Sequence, residues 1–196
     1  TGCFIDVKSS SSPAVATGEK TGRRCAAPAL RGRKEMRAKV FIDGREGTTG
    51  LRIMERFADR DDIELIAVSE EKRKDPKARA ACINASDYTF LCLPDTAARE
   101  AVSLVTNEHV RIIDASTAHR TNPDWAYGFP ELSKEYRRKI AASGRVAVPG
   151  CYASGFAACV YPLTNYHVIT PDYPVCCHAV SGYSGAGKKA IAVYES

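Results

Sequence analysis

Cys151 is the residue of this sequence best placed for covalent chemistry. It follows Val146-Ala147-Val148-Pro149-Gly150, an apolar run broken by Pro-Gly. It precedes a stretch whose Phe156, Val160 and Leu163 share one face at helical spacing. A strand that turns through Pro-Gly into a helix places this thiol at the helix N-terminus. Free N–H groups and the helix dipole there favour a thiolate, which attacks carbonyl carbon and forms a covalent intermediate. The other cysteines, at 3, 25, 82, 92, 159, 176 and 177, have no such setting. None makes a CxxC pair or a Cys/His cluster of metal-binding spacing, so no metal is expected and the thiols are read as reduced. Cys82, Cys92 and Cys159 are expected as small core residues. Cys176, Cys177 and His178 fall in a predicted strand, where core packing explains the adjacent cysteines.

A second constellation is Gly44-Arg45-Glu46-Gly47-Thr48-Thr49-Gly50, between a short apolar strand (39–43) and a helix (49–58). Glycines let a backbone approach a ligand closely, and a helix N-terminus attracts phosphate. The spacing is GxxGxxG rather than GxGxxG, so it is the position between strand and helix that gives the motif its meaning. Gly44, Gly47, Thr48, Thr49 and Gly50 are therefore candidate residues for binding a dinucleotide. The second strand should end near the ribose that carries the adenine, and the sequence there reads Val68-Ser69-Glu70-Glu71-Lys72-Arg73-Lys74. An acid, Glu70 or Glu71, would bind a 2′-hydroxyl and favour NAD. Ser69, Lys72 and Arg73 would hold a 2′-phosphate, Arg by a forked pair of hydrogen bonds. The reading adopted is NADP(H), with Ser69 and Arg73 as contacts and Lys74 as part of a solvated charge run.

These sites need a frame, and the sequence supplies one. Apolar strands at 39–43, 63–68, 89–93, 110–114 and 146–148 alternate with helical stretches, one of them carrying Ala98, Ala101, Val102 and Val105 behind an Asp95 or Thr96 cap. Repeated strand–helix–strand units imply an α/β fold with a doubly wound, Rossmann-type parallel sheet over residues 37–150. A composition of 44% apolar and 26% charged residues suits a globular core. The net charge of +5 resides in residues 1–37, where eight Lys and Arg face three acids. No basic stripe interleaved with aromatics suggests a nucleic-acid partner, and no apolar run is long enough to suggest a membrane partner. Residues 1–36, with a serine run and no periodicity, read as a disordered leader or a non-native extension: a transit peptide, or upstream sequence before Met36.

The ordered blocks resemble the N-acetyl-gamma-glutamyl-phosphate reductases, in the shorter of their two sequence types, within the semialdehyde dehydrogenase superfamily. The resemblance covers residues 37–196. It rests on residues 39–50, Leu91-Cys92-Leu93-Pro94-Asp95, Ile113-Asp114-Ala115-Ser116-Thr117-Ala118-His119-Arg120, Tyr127-Gly128-Phe129-Pro130-Glu131, Pro149-Gly150-Cys151-Tyr152 and residues 178–189. Val148 stands where many members have Asn.

The resemblance implies NADPH-dependent reduction of N-acetylglutamyl 5-phosphate to the 5-semialdehyde and phosphate, through a thioester on Cys151, in arginine biosynthesis; the thiols, in a sequence with no visible signal peptide or membrane span, are read as cytoplasmic. It implies that Ser116 and Arg120 belong to the phosphate site, that Gly185 lies in a substrate or cofactor loop, and that His119 is structural. It implies a homo-oligomer and a second α+β domain for catalysis and oligomerisation that begins at residue 151 and is incomplete here. The family's acid–base histidine is expected beyond Ser196, with His178 the nearest candidate within the chain. The alternatives are an aspartate-semialdehyde dehydrogenase-like enzyme and a nucleotide-binding fragment without catalysis.

Overall fold

The computed structural model describes residues 37–45, 47–180 and 182–196. The expectation of a disordered leader over residues 1–36 lies outside the described residues. Among the described residues six strands form one sheet: β1 (Ala38–Asp43), β2 (Ile63–Ile66), β3 (Tyr88–Leu91), β4 (Arg111–Asp114), β5 (Ala126–Tyr127) and β6 (Arg145–Ala147). Their order is β2-β1-β3-β4-β6-β5, and every pairing is parallel. From β1 the chain first adds β2 on one side and then crosses to add β3 on the other. This is the doubly wound arrangement, and its switch point lies between the carboxyl ends of β1 and β3.

Helices connect the strands: α1 (Thr48–Ala58), α2 (Pro76–Ala85), α3 (Asp95–Ser103) and α4 (Lys134–Ala142). Phe41, Leu91 and Ile112 from the sheet meet Ile83 of α2 and Ala98 and Ala101 of α3 in the core. Two of these helices were not anticipated from periodicity, but each carries a local start signal. Asp75 accepts a hydrogen bond from Lys77 N (3.0 Å) ahead of Pro76, and Ser133 accepts one from Tyr136 N (3.3 Å). The expected cap of α3 is corrected. The helix begins at Asp95 itself, after Pro94, with no side-chain cap. The Asp95 carboxylate instead accepts from Thr117, at N (3.0 Å) and at Oγ1.

Beyond the sheet, α5 (Cys151–Asn165) and α6 (Gly187–Tyr194) are separated by a mostly irregular stretch ending in a 3-10 turn, Tyr183–Ala186. The strand expected at 176–178 is absent. A strand exists through hydrogen bonds to a neighbour, and no described segment pairs with it. Cys176, Cys177 and His178 are exposed, and so is Cys159, which corrects its placing in a core. None of the residues of α5 is buried, although most are apolar. Tyr161 meets Tyr136 of α4 edge-on at 5.8 Å.

A buried ion pair ties the sheet to two helices. Arg79 donates from Nε (3.0 Å) and Nη2 (2.9 Å) to Asp43 at the end of β1, and its Nη1 lies 3.4 Å from Glu100 of α3. Burial pushes the Asp43 carboxyl above its ordinary value, while the Arg79 hydrogen bonds pull it down. Arg79→Met removes one partner and leaves a buried carboxylate, so urea unfolding should show a loss of about 3–5 kcal/mol near neutral pH. A carboxyl raised in the fold takes up its proton more readily there than in the unfolded chain. The deficit should therefore shrink as pH falls towards the ordinary carboxylate range and widen as it rises. A deficit independent of pH would show that Asp43 does not carry the effect.

Candidate active site

The sheet's switch point holds a cavity of about 310 Å³, lined among others by Gly44, Arg45, Gly47, Arg73, Lys74 and Leu93. Gly44 has φ +86°, and a Cβ there would overlap the main-chain carbonyl of Cys92, which follows β3. Gly50 packs the first turn of α1 on the same loop, where a Cβ would stand 2.5 Å from Gly44 O. At Gly47 the corresponding distance is 3.4 Å, an ordinary contact. Thus Gly44 and Gly50 are sterically required, while Gly47 contributes its place as N-cap. Gly47, the N-cap of α1, makes no side-chain cap hydrogen bond, and it lines the cavity. Thr48 and Thr49 occupy that first turn and are exposed.

The charged end of β2 differs in detail from the expectation. Arg73 and Lys74 line the cavity, and so does Arg45, which sequence reasoning passed over. Ser69 precedes the 3-10 turn Glu70–Lys72 and is not among the lining residues. Glu70 pairs with Arg45 and stands 3.6 Å from Arg73. An acid so engaged has less to offer a ribose hydroxyl. The signal that could have revealed Arg45 is its position inside the glycine turn, two residues after the strand.

The second part of the site lies at the ends of β4 and β6. Asp114 is fully buried and accepts from Ser116 N (2.9 Å), Ser116 Oγ (2.7 Å) and His119 Nδ1 (2.7 Å). Ser116 Oγ also accepts from Ala118 N (3.1 Å). The hydroxyl expected at a phosphate site is therefore committed to holding its own turn. Arg120 donates from Nε to Val148 O (2.9 Å) and from Nη2 to Ala115 O (3.2 Å). Its Nη1 comes within 2.9 Å of where a Cβ on Gly150 would stand. Val148 engages by main chain alone: its N–H donates to Asp114 O (2.8 Å) and its carbonyl receives Arg120. The apolar side chain at this position removes none of these bonds.

Cys151 is the first residue of α5, exposed, and directly follows the glycine beside Arg120. Cys92 lies in the opposite setting. Burial pushes its thiol up to about 11, and the nearby Asp114 and Asp43 add to the effect. It stays protonated and unreactive at neutral pH. Burial and Asp43 raise Cys82 too. Gly185 falls in the 3-10 turn before α6 and does not line the cavity. His119 is buried and stacked on Trp125, with centroids 4.1 Å apart, as suits a structural residue.

Two family models match this chain: the NAD binding domain of semialdehyde dehydrogenase over residues 39–140 and the semialdehyde dehydrogenase dimerisation domain over 151–195. The chain belongs to the semialdehyde dehydrogenase family. Among curated proteins it is similar to the N-acetyl-gamma-glutamyl-phosphate reductase of Burkholderia ambifaria, 54% identical over 80% of this chain and 50% of that protein. It is also similar to an N-acetyl-gamma-glutamyl-phosphate reductase 2 of a Nostoc species, 53% identical over 81% of this chain and 49% of that protein. The chain thus spans about half the length of the curated relatives it matches. Among solved structures, aspartate semialdehyde dehydrogenase II of Vibrio cholerae superimposes with a TM-score of 0.55 at 16% identity, over 80% of this chain and 50% of that one. The enzyme from Francisella tularensis gives 0.51 at 16% identity, over 66% and 41%. At such identity the likeness is one of fold.

The two glycines of the turn make a paired test. Gly44→Ala forces a side chain into a positive φ and against a carbonyl; the strained backbone alone costs about 1–3 kcal/mol. Thermal melting should drop by several degrees and nucleotide binding should be lost. Gly47→Ala should leave the melting temperature within error of the parent. Equal melting of both variants would contradict the close approach of the loop to β3.

Proposed function

We propose that this chain carries the cofactor site and the nucleophile of an NADPH-dependent reductase that converts N-acetylglutamyl 5-phosphate to N-acetylglutamate 5-semialdehyde and phosphate, in arginine biosynthesis. The observation that carries the reading is Cys151, exposed at the start of a helix, with the Arg120 guanidinium against the preceding turn. In this reading the Cys151 sulfur attacks the acyl carbon, the carbon–oxygen bond to phosphate breaks, and phosphate leaves with the electron pair. Bound NADPH supplies the hydride that reduces the resulting thioester. The carbon–sulfur bond then breaks, releasing the aldehyde and restoring the thiolate. Arg120 offers the departing phosphate a fixed cation. Ser116, placed in the phosphate site by resemblance, serves that site through the turn it holds.

The cavity at the switch point supports a dinucleotide: the glycine turn lines it, Arg45 adds a cation from that turn, and Arg73 and Lys74 add two from the segment after β2. Arg73 is the residue proposed to mark a 2′-phosphate, with Ser69 behind it. The proteins named N-acetyl-gamma-glutamyl-phosphate reductase support this substrate over aspartate semialdehyde, to which the likeness is of fold. The dimerisation-domain match supports a homo-oligomer. No described helix is long and apolar enough to cross a membrane; a cytoplasmic location is part of the proposal. Gly185 is retained as part of a substrate or cofactor loop, and His178, exposed and outside any strand, is not assigned the acid–base role.

Two measurements test the reading. Arg73→Ala should weaken NADPH binding roughly three- to tenfold in fluorescence titration, a half-exposed charge-assisted contact being worth that much, and leave NADH nearly unchanged. Equal affinity of the parent chain for both cofactors would count against NADP. In a protein extended to the length of its relatives, Cys151→Ser should cut phosphate-dependent oxidation of the semialdehyde by at least about a thousandfold, the scale of losing a nucleophile. Turnover at the parent rate would remove the thioester from the mechanism.

A further inference from the structure

We propose that Asp114 and His119 are positioning residues that hold the Arg120 guanidinium against the turn presenting Cys151; this deepens the reading of Cys151 as nucleophile and rests on it. Arginine has four side-chain torsions and is fixed only if its partners are fixed. The partners of Arg120 are main-chain carbonyls, Val148 O and Ala115 O, on two different loops. The sheet positions the start of each loop: Val148 N donates to Asp114 O (2.8 Å), and Ala115 N donates to Leu91 O (2.9 Å). Pairing does not reach residues 116–120, and there the Asp114 carboxylate takes over. It binds Ser116 twice and His119 once, closing five residues of chain around one buried acid. An ionised carboxylate only accepts, so His119 donates through Nδ1–H. Trp125, stacked at an interplanar angle of 8°, fixes the ring plane. His119 is thereby clamped on two sides, and its neighbour Arg120 leaves the backbone at a set point and direction. The Asp95 carboxylate, held by Thr117 of the same loop, also interacts electrostatically with Arg120, so the loop's hold extends to α3.

The arrangement explains two buried polar residues that neither the core nor the proposed reaction uses directly. A loop of this length could be closed by apolar packing alone. A buried acid with three partners instead locks one geometry, because any other leaves polar groups unpaired at a cost.

The test reads the charge beside Cys151 without needing turnover. The 196-residue chain is treated with an anionic aromatic disulfide and, separately, with a neutral dipyridyl disulfide. The rate at Cys151 is followed by mass spectrometry of its peptide, and the ratio of anionic to neutral rates reports the local cation. Arg120→Ala should lower the ratio roughly two- to fivefold, the scale of one exposed ion pair. His119→Phe keeps a ring for Trp125 but removes the donor, and should lower the ratio to nearly the same extent. His119→Asn, whose amide can replace the Nδ1–H, should restore it. Asp114→Asn gives a second route to the same readout if His119→Phe melts below the assay temperature. A parent-like ratio in the folded His119→Phe or Asp114→Asn chain would overturn the proposal, as would an unchanged ratio in Arg120→Ala. The catalytic reading fails separately, through undiminished turnover of Cys151→Ser, so the two failures are distinguishable.

Discussion

All six strands run the same way, and their registers align one row of residues at the carboxyl edge: Asp43 beside Leu91, Leu91 beside Asp114, Asp114 beside Ala147, and Ala147 beside Tyr127. Much of the candidate site follows within a few residues of that row. Gly44 opens the glycine turn, Cys92 supplies the carbonyl against which Gly44 must be bare, Ala115 and Val148 receive Arg120, and Cys151 begins the next helix. A slip of one residue in any pairing would turn side chains to the opposite face and displace the loop beyond it. The parallel register is therefore the constraint on which both parts of the site depend.

The row contains two acids, and the fold neutralises them differently. Asp43 is met by a cation, Arg79, brought by a helix and shared with Glu100. Asp114 is met by an N–H, a hydroxyl and an imidazole from its own loop. The first solution joins secondary elements to each other; the second shapes one short segment. Both satisfy a buried polar group by hydrogen bonding, as burial demands. Their settings differ: β1 is followed by the glycine turn that lines the cavity, while β4 is followed by the loop whose Arg120 reaches Val148 O and Ala115 O.

Sequence showed what is encoded locally and lost what depends on distance. The doubly wound sheet was readable from short apolar runs, and the strand–Pro–Gly–Cys–helix elbow was readable because each of its parts is adjacent. Arg79 was invisible because its partner is 36 residues away and its helix has no clean apolar stripe. The cap of α2, Asp75 before Pro76, was legible in principle. Ser116 was assigned by resemblance to a ligand, but a hydroxyl two residues from a buried acid finds that acid first. The strand expected at 176–178 failed for another reason. β propensity is realised only beside a partner strand, and among the described residues none is offered.

Cys92 and Cys151 show how far setting outweighs residue type. Both follow a strand end by a few residues, and both belong to motifs that resemble the same family. Cys92 sits between Asp43 and Asp114, across the row on either side, and is half-buried. Each of those features disfavours negative charge on sulfur. Cys151 is exposed, the first residue of a 15-residue helix, with a guanidinium against the residue before it. The same sheet edge thus holds one thiol silent and presents another. The difference arises because the main chain just after β3 lies against Gly44, whereas the chain after β6 passes through Pro149-Gly150 into α5 with Cys151 exposed at its start.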